Sequence, residues 1–155
     1  MKILMVCLGN ICRSPLAEGI LKDKANKLQL NWQIDSAGTG GYHIGEPPHY
    51  LSQKVARENG IDISSQQCRQ FVKEDILLFD KIYAMDLDNY YNIKQITKEL
   101  WNENKVELLL NELYPNQNKE VPDPWYGDEK DYYFVYDLID KACDAILNNF
   151  KKEIT

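Results

Sequence analysis

A cysteine and an arginine near the N-terminus are separated by five residues, and a serine follows directly: Cys7, Arg13 and Ser14. The loop lies between an apolar run and a helical pattern, so its backbone N–H groups can converge on one anion at the helix N-terminus. The planar guanidinium of Arg13 fits two oxygens of a phosphate. The helix dipole and Arg13 favour the thiolate of Cys7. A thiolate beneath a bound phosphate is a nucleophile directed at phosphorus.

A purely structural explanation of this loop is that Cys7 and Cys12 are small core residues at a strand end, as most unpaired cysteines are. Arg13 argues against that explanation, because a positive charge at a helix N-terminus is unfavourable without an anion. Gly9 supplies the backbone freedom that a curled loop requires. The Ser14 hydroxyl can bond the Cys7 sulfur and help it to leave in a later step. We therefore favour an oxyanion site.

The segments around this loop alternate between strand and helix patterns. Residues 2–7 are typical of a strand buried on both faces. Ser14 and Pro15 predict a helix with Ser14 at its N-cap and Pro15 at its first position. Similar patterns predict strands at residues 32–37, 80–86 and 106–110, and helices at residues 51–60, 73–79, 87–100 and around 139–150. The long polar stretch 111–130 is typical of a functional loop.

This alternation predicts an α/β fold with a four-stranded parallel sheet, helices on both faces, and the 7–14 loop after the first strand. In such sheets, ligands bind outside the carboxyl ends of the strands. A length of 155 residues predicts a single domain over residues 1–155. We expect the site to be assembled from the loops that follow the strands.

Composition and charge exclude several classes of function. Hydrophobic residues make up 44% of the chain and charged residues 27%, which is a globular balance. The net charge of −6 and the absence of a basic run predict no nucleic-acid partner and no binding to anionic membranes. No apolar run approaches the roughly 20 residues of a membrane span. The N-terminal stretch lacks a cleavage site, so we expect a cytoplasmic protein. The spacing of cysteines and histidines predicts no metal site.

Residues 6–18, VCLGNICRSPLAE, closely resemble the phosphate loop of low molecular weight protein tyrosine phosphatases. The resemblance continues through residues 35–39, 45–47, 60–61, 69–70 and 85–86, ends at DPWYG (123–127), and covers nearly the whole chain. It implies a cofactor-independent enzyme with Cys7 as nucleophile, a phosphocysteine intermediate, and Arg13 as phosphate binder. It also implies that Asp123 is a general acid and then a general base.

The residues alone leave the choice of general acid open among Asp123, Asp128 and Asp131, and only the resemblance selects Asp123. The resemblance also implies that Cys12 can form a disulfide with Cys7 under oxidation. It places substrate-binding positions at Leu8, Gly9, Asn10, Ile11, Cys12, Ser14, Tyr42, Trp125 and Tyr126. Positions that support the site are Ser36, Gln66, Arg69 and Asp86.

Two positions depart from the family pattern. Trp125 stands where the family usually has tyrosine, and Gln66 lies near a family histidine that bonds the counterpart of Ser14. Gln66 could substitute as a hydrogen-bonding residue. The implied partners are phosphotyrosine-containing proteins, with small aryl phosphates as substrates in vitro and phosphate or similar oxyanions as inhibitors.

Three alternative functions share this loop or scaffold. Arsenate reductases need further cysteines after the third strand, and this chain has none between Cys68 and Cys143. Protein arginine phosphatases have a threonine where Ile11 stands and lack the tandem aromatics Trp125 and Tyr126. A non-catalytic phosphoanion-binding module is expected to lose the cysteine or the acid, and both are present. We therefore favour phosphotyrosine hydrolysis.

Overall fold

Four parallel strands form a sheet with the order β2-β1-β3-β4 in a computed structural model that describes residues 1–154. The strands are β1 (Lys2–Cys7), β2 (Gln33–Gly38), β3 (Lys81–Ala84) and β4 (Val106–Leu108). The helices are α1 (Arg13–Lys27), α2 (Tyr50–Glu58), α3 (Asp75–Leu78), α4 (Leu87–Thr97) and α5 (Glu129–Ile154). Short 3-10 turns lie at Lys98–Leu100, Leu109–Asn111 and Pro124–Tyr126. The predicted α/β architecture is confirmed.

The two faces of the sheet have separate apolar cores because side chains alternate along a strand. Ile3 and Met5 of β1 pack with residues of α1, α2 and α5, such as Leu16 and Ile139. Leu4 and Val6 of β1 face the other way and pack with residues of α3 and α4. Helices therefore cover both faces, and β1 lies in the interior of the sheet, as its unbroken apolar run predicts.

The strand order places a topological switch point at β1. The chain passes from β1 to β2 on one side and returns to β3 on the other, so the loops after β1 and β3 diverge and leave a crevice at their carboxyl ends. The 7–14 loop lies at that crevice, between the end of β1 and the start of α1.

The N-terminus of α1 differs from the prediction. The helix begins at Arg13, Cys12 is at the N-cap without a side-chain cap, and Pro15 is the third helical residue. The prediction that Ser14 caps this helix is wrong, because its hydroxyl is used in hydrogen bonds to Cys7 and Asn10. No side chain takes up the first N–H groups of α1, which leaves them suited to an anion.

The other boundaries follow the predictions to within a few residues, except that α5 begins at Glu129, about ten residues before the predicted start of the last helix. β3 and β4 are shorter than predicted because Asp86 already caps α4 and residues 109–111 form a 3-10 turn. The long loop contains the turn Pro124–Tyr126 and ends at Glu129, where α5 begins. Over residues 1–154, no helix has the length and apolar character to cross a membrane.

Gly38 at the end of β2 is in close contact with the loop after β1. A Cβ atom at this position would lie 2.7 Å from the Leu8 carbonyl oxygen and 3.1 Å from the Asn10 nitrogen, both of them backbone atoms. We expect Gly38→Ala to lower the free energy of unfolding by about 1–3 kcal/mol, because the backbone must move to relieve the overlap. Urea denaturation measures this change.

Gly41→Ala is the matched control. Its Cβ would meet the terminal oxygen of Gln70 at 3.0 Å, and that exposed side chain can rotate away. We expect a change within about 0.5 kcal/mol. Equal effects of the two substitutions would contradict the importance of the backbone contact at Gly38.

Candidate active site

A cavity of about 250 Å³ opens at the carboxyl end of β1. It brings together most of the residues that the sequence predicts for substrate binding and catalysis, although they come from three separate loops. Its lining consists of Cys7, Leu8, Gly9, Ile11, Cys12, Arg13, Tyr42, His43, Asp123, Trp125 and Tyr126. The predicted residues Asn10 and Ser14 are buried directly behind this lining.

The sulfur of Cys7 is held between two polar groups at the base of the cavity. The Asn10 backbone N–H donates to Sγ at 3.2 Å, and the Ser14 hydroxyl lies 3.1 Å from it. The residue is only 3% exposed, so these contacts occur in a site that excludes most water. Two donors beside one sulfur can stabilise negative charge on it.

Several carbonyl groups of the 7–14 loop are turned away from the cavity. Three accept hydrogen bonds from N–H groups outside the loop: Cys7 from Thr39 (2.9 Å), Leu8 from Gly40 (2.9 Å) and Ile11 from His49 (2.8 Å). In a planar trans peptide, the C=O and the following N–H point in opposite directions. The N–H groups of Leu8, Gly9 and Cys12 therefore face the cavity side, which makes the loop a concave set of donors for an oxyanion.

Asn10 connects the loop to its surroundings. It is 2% exposed and adopts a left-handed φ of 57°, a conformation that asparagine tolerates better than most residues. Its side-chain amide donates to Ser14 at 2.8 Å and to Ser36 at 2.9 Å, and its Oδ1 accepts from the Arg69 N–H at 3.0 Å. Ser36 in turn donates to the buried carboxylate of Glu18 at 2.7 Å. Every polar atom of this side chain is therefore used.

Arg13 is 2% exposed and is held from one end of its guanidinium. Its Nη1 donates to Asp86 at 2.6 Å and to the Val121 carbonyl at 2.9 Å, while Nη2 lies 3.7 Å from Asp123. Burial by itself would lower the pKa of Arg13, but Cys7, Asp86 and Asp123 together raise it. The guanidinium therefore stays charged inside the cavity wall.

Asp123 stands at the cavity edge before the turn Pro124–Tyr126. Its Oδ1 accepts the Trp125 N–H at 3.0 Å, which directs Oδ2 toward Arg13. The two other carboxylates that the sequence left open are placed differently, because Asp131 accepts the Asp128 N–H at 2.7 Å at the start of α5. Neither of them lines the cavity. The structure thus brings only Asp123, among the three, to the cavity.

Aromatic side chains form the exposed rim of the cavity. Trp125 is 47% exposed, Tyr42 73% and Tyr126 82%. The rings of His43 and His49 lie 5.7 and 5.5 Å from that of Trp125. A rim of this kind suits a flat aryl group above a bound oxyanion.

Two histidines after β2 were missed in the sequence: His43 belongs to the site, and His49 packs against the rim residue Trp125. His43 lines the cavity, and its Nδ1 lies 2.5 Å from Glu46. His49 caps α2 by accepting the Leu51 N–H and stacks on Tyr132, and burial lowers its pKa. The available signal was that both histidines of the chain lie in the loop after β2.

The predicted supporting residues differ in how directly they contact the site. Asp86 bonds Arg13, and Ser36 bonds Asn10, as described above. The Arg69 side chain forms ion pairs with Asp35 and the buried Asp75 at 3.0 Å each. Gln66 lies apart from the cavity and donates to the Pro15 carbonyl at 3.1 Å instead of bonding Ser14. Gln66 is thus a hydrogen-bonding residue, but its partner is the backbone of α1 rather than the Ser14 hydroxyl.

Cys12 lines the cavity as a protonated thiol. Its sulfur is 3.5 Å from the Tyr132 hydroxyl, and burial raises its pKa to about 12. All four cysteines of the chain are free. Over residues 1–154, no group of three or more His, Cys, Asp or Glu side chains could hold a metal ion.

A family model described as low molecular weight phosphotyrosine protein phosphatase matches residues 2–155. Low molecular weight protein-tyrosine-phosphatase YfkJ of Bacillus subtilis is 39% identical over 97% of this chain and 96% of its own. Its crystal structure covers 100% of this chain and 97% of that chain with a TM-score of 0.90.

Two further relatives show how broad the similarity is. The low molecular weight phosphotyrosine protein phosphatase of Homo sapiens is 38% identical over 94% of this chain and 92% of its own. The crystal structure of a Drosophila arginine phosphatase is 29% identical, covers 97% of this chain and 98% of that chain, and has a TM-score of 0.90. Because the family model and these relatives span nearly the whole chain, this chain belongs to the low molecular weight phosphotyrosine protein phosphatase family, a family of hydrolases.

Proposed function

We propose that this protein hydrolyses phosphotyrosine in proteins through a phosphocysteine intermediate. Cys7 is the nucleophile, Arg13 binds the phosphoryl group, and Asp123 is the general acid and base. The observation that carries this proposal is that the three side chains line one cavity, with Asp123 3.7 Å from Arg13. The sulfur of Cys7 faces the same space between two donors.

In the first step, the Cys7 thiolate attacks phosphorus and the bond from phosphorus to the tyrosyl oxygen breaks. The inward N–H groups of the 7–14 loop and Arg13 bind the equatorial phosphoryl oxygens, whose charge they neutralise. Because Nη1 of Arg13 is occupied by Asp86 and Val121, the Nε and Nη2 edge meets the phosphoryl oxygens. Asp123 gives its proton to the departing phenolate, which is otherwise a poor leaving group at neutral pH.

In the second step, water attacks the phosphocysteine and the phosphorus–sulfur bond breaks. Asp123, now ionised, accepts a proton from that water, and inorganic phosphate is formed. The Cys7 thiolate that departs is stabilised by the Ser14 hydroxyl and the Asn10 N–H. Both steps thus use the same carboxylate in opposite proton states.

The rim of the cavity supports the proposed substrate class. Leu8, Tyr42, Trp125 and Tyr126 surround its mouth and can contact the ring of a phosphorylated tyrosine. A phosphoserine is too short to bring its phosphate from a protein backbone down to Cys7. Partners are then phosphotyrosine-containing proteins. Small aryl phosphates serve as substrates in vitro, and phosphate and similar oxyanions act as inhibitors.

The chemistry also bears on the cellular compartment. The proposed mechanism needs Cys7 as a free thiol, and a reducing cytoplasm maintains free thiols. We therefore propose a cytoplasmic enzyme that needs no cofactor.

Cys7→Ser is expected to abolish turnover of p-nitrophenyl phosphate while binding of inorganic phosphate survives. A serine hydroxyl is barely ionised at neutral pH, so the nucleophile is lost, whereas the N–H groups and Arg13 remain. Steady-state kinetics and calorimetric titration with phosphate measure the two effects. Cys143→Ser, at a buried thiol outside the cavity, is the control and should remain active. Near-normal turnover by Cys7→Ser would contradict the mechanism.

Asp123→Asn is expected to lower kcat by about 10²–10⁴-fold on phenyl phosphate, and by less on p-nitrophenyl phosphate, whose leaving group needs little protonation. The asparagine amide oxygen can still accept the Trp125 N–H, so the local turn is preserved. Asp128→Asn serves as the control and should show neither loss. Equal losses on the two substrates would assign the acid role to another carboxylate.

Trp125→Ala is expected to lower kcat/KM on a phosphotyrosine peptide. The loss of ring stacking by itself accounts for a factor of about two to ten, because stacking contributes about 0.5–1.5 kcal/mol beyond burial. Inhibition by inorganic phosphate should be nearly unchanged. Tyr91→Ala removes an exposed aromatic ring on α4 and is the control.

Matched phosphotyrosine, phosphoserine and phosphoarginine peptides test selectivity in the wild type. Faster turnover of phosphoarginine would overturn the proposed substrate class.

A further inference from the structure

Two buried side chains outside the 7–14 loop donate hydrogen bonds to its carbonyl oxygens. The Cys68 thiol donates to the Asn10 carbonyl, with sulfur and oxygen 2.7 Å apart. The Ser52 hydroxyl donates to the Cys12 carbonyl at 3.1 Å. Cys68 is 5% exposed and Ser52 is fully buried. Neither residue lines the cavity.

We propose that Cys68 and Ser52 are positioning residues that orient peptide groups of the 7–14 loop toward the phosphoryl group. This inference rests on the function proposed above. Cys68 holds the carbonyl of the Asn10–Ile11 peptide, so the Ile11 N–H is directed to the opposite side, where the cavity lies. Ser52 acts in the same way on the Cys12–Arg13 peptide and thereby directs the Arg13 N–H.

The need for such donors comes from the shape of the loop. Backbone N–H groups hold the carbonyls of Cys7, Leu8 and Ile11, whereas the Asn10 and Cys12 carbonyls receive side-chain donors. Asn10 is left-handed, and a non-glycine residue keeps that conformation only when its surroundings stabilise it. The two side chains complete a set of five loop carbonyls held from outside.

Cys68 is suited to this task because its backbone is fixed independently of the thiol. Its N–H donates to the Glu46 carbonyl, and its own carbonyl accepts the Gly45 N–H, both at 2.8 Å. Burial raises the pKa of the Cys68 thiol to about 11, so it remains protonated and able to donate at neutral pH. The backbone N–H of the next residue, Arg69, donates to the side-chain oxygen of Asn10. Two consecutive residues therefore hold the backbone carbonyl and the side chain of Asn10.

The experiment compares Cys68→Ala, which removes the donor, with Cys68→Ser, which keeps one. We expect Cys68→Ala to raise the inhibition constant of inorganic phosphate, and to lower kcat/KM on p-nitrophenyl phosphate, by about five- to thirtyfold, the effect of one or two kcal/mol. Cys68→Ser should stay within about threefold of the wild type, since the hydroxyl is also a donor.

Cys143→Ala is the matched control for loss of a buried thiol. Cys143 is fully buried between α5 and α1, and its sulfur is 4.0 Å from the nearest hydrogen-bond acceptor, the Ala17 carbonyl. We expect Cys143→Ala to lower the melting temperature without changing the phosphate inhibition constant. This comparison separates positioning of the loop from general stability.

Ser52→Ala and an amide NMR titration provide tests that do not depend on Cys68→Ala folding well. In the wild type, the amide proton signals of Ile11 and Arg13 should shift on addition of inorganic phosphate. The Ile11 shift should shrink in Cys68→Ala and the Arg13 shift in Ser52→Ala, with Cys68→Ser resembling the wild type.

Two results would overturn the inference. One is a folded Cys68→Ala or Ser52→Ala variant with wild-type phosphate inhibition and kcat/KM. The other is an unchanged Ile11 or Arg13 signal when phosphate binds to the wild type. Failure of the proposed function would look different, because the wild type itself would then not hydrolyse aryl phosphates.

Discussion

The hydrogen-bonding of Asn10 is the constraint on which the site depends. Its buried amide bridges the serines at the start of α1 and in β2, and its carbonyl oxygens are held by the segment at residues 68–69. A buried polar side chain is costly unless its hydrogen bonds are made, so one loop conformation is strongly preferred over others. That conformation places the Asn10 N–H on the Cys7 sulfur.

The second constraint is the buried charge of Arg13. A desolvated guanidinium is tolerated only beside opposite charge and hydrogen-bond acceptors. Asp86 and the Val121 carbonyl provide them at one nitrogen, and Asp123 lies near the other. Asp86 also caps α4, which links the position of the guanidinium to the loop after β3. In the proposed mechanism, a bound phosphoryl group adds negative charge to a site already built around one cation.

The fold brings these two constraints to one place. The neighbours of β1 are β2 and β3, so the loops after these two strands, which carry Tyr42 and Asp86, meet beside the 7–14 loop. Gly38 at the end of β2 permits close backbone contact with the 7–14 loop. The first turn of α1 has no side-chain cap, and this absence of a cap leaves its N–H groups suited to an anion.

Much of this architecture could be predicted from the sequence because it depends on local patterns. The apolar run of residues 2–7 predicts an interior strand, and the alternation of elements predicts a parallel sheet whose site lies at its carboxyl edge. Cys7, Arg13 and Ser14 are close in the chain, so their spacing alone indicates an oxyanion loop. Selecting Asp123 as the predicted general acid required the resemblance to a family, since Asp128 and Asp131 carry the same carboxyl group.

Tertiary structure decided the features that depend on distant residues. Ser14 reads as a helix cap in isolation, but its hydroxyl is drawn to Cys7 and Asn10 once the loop curls. Cys68 and Ser52 have no signal in the sequence, because their importance lies in carbonyl groups that are 58 and 40 positions away. A sequence pattern records which side chains are available and how a helix or strand exposes them. Which buried carbonyl each donor reaches is settled only by packing, because each hydrogen bond depends on the path of two separate segments.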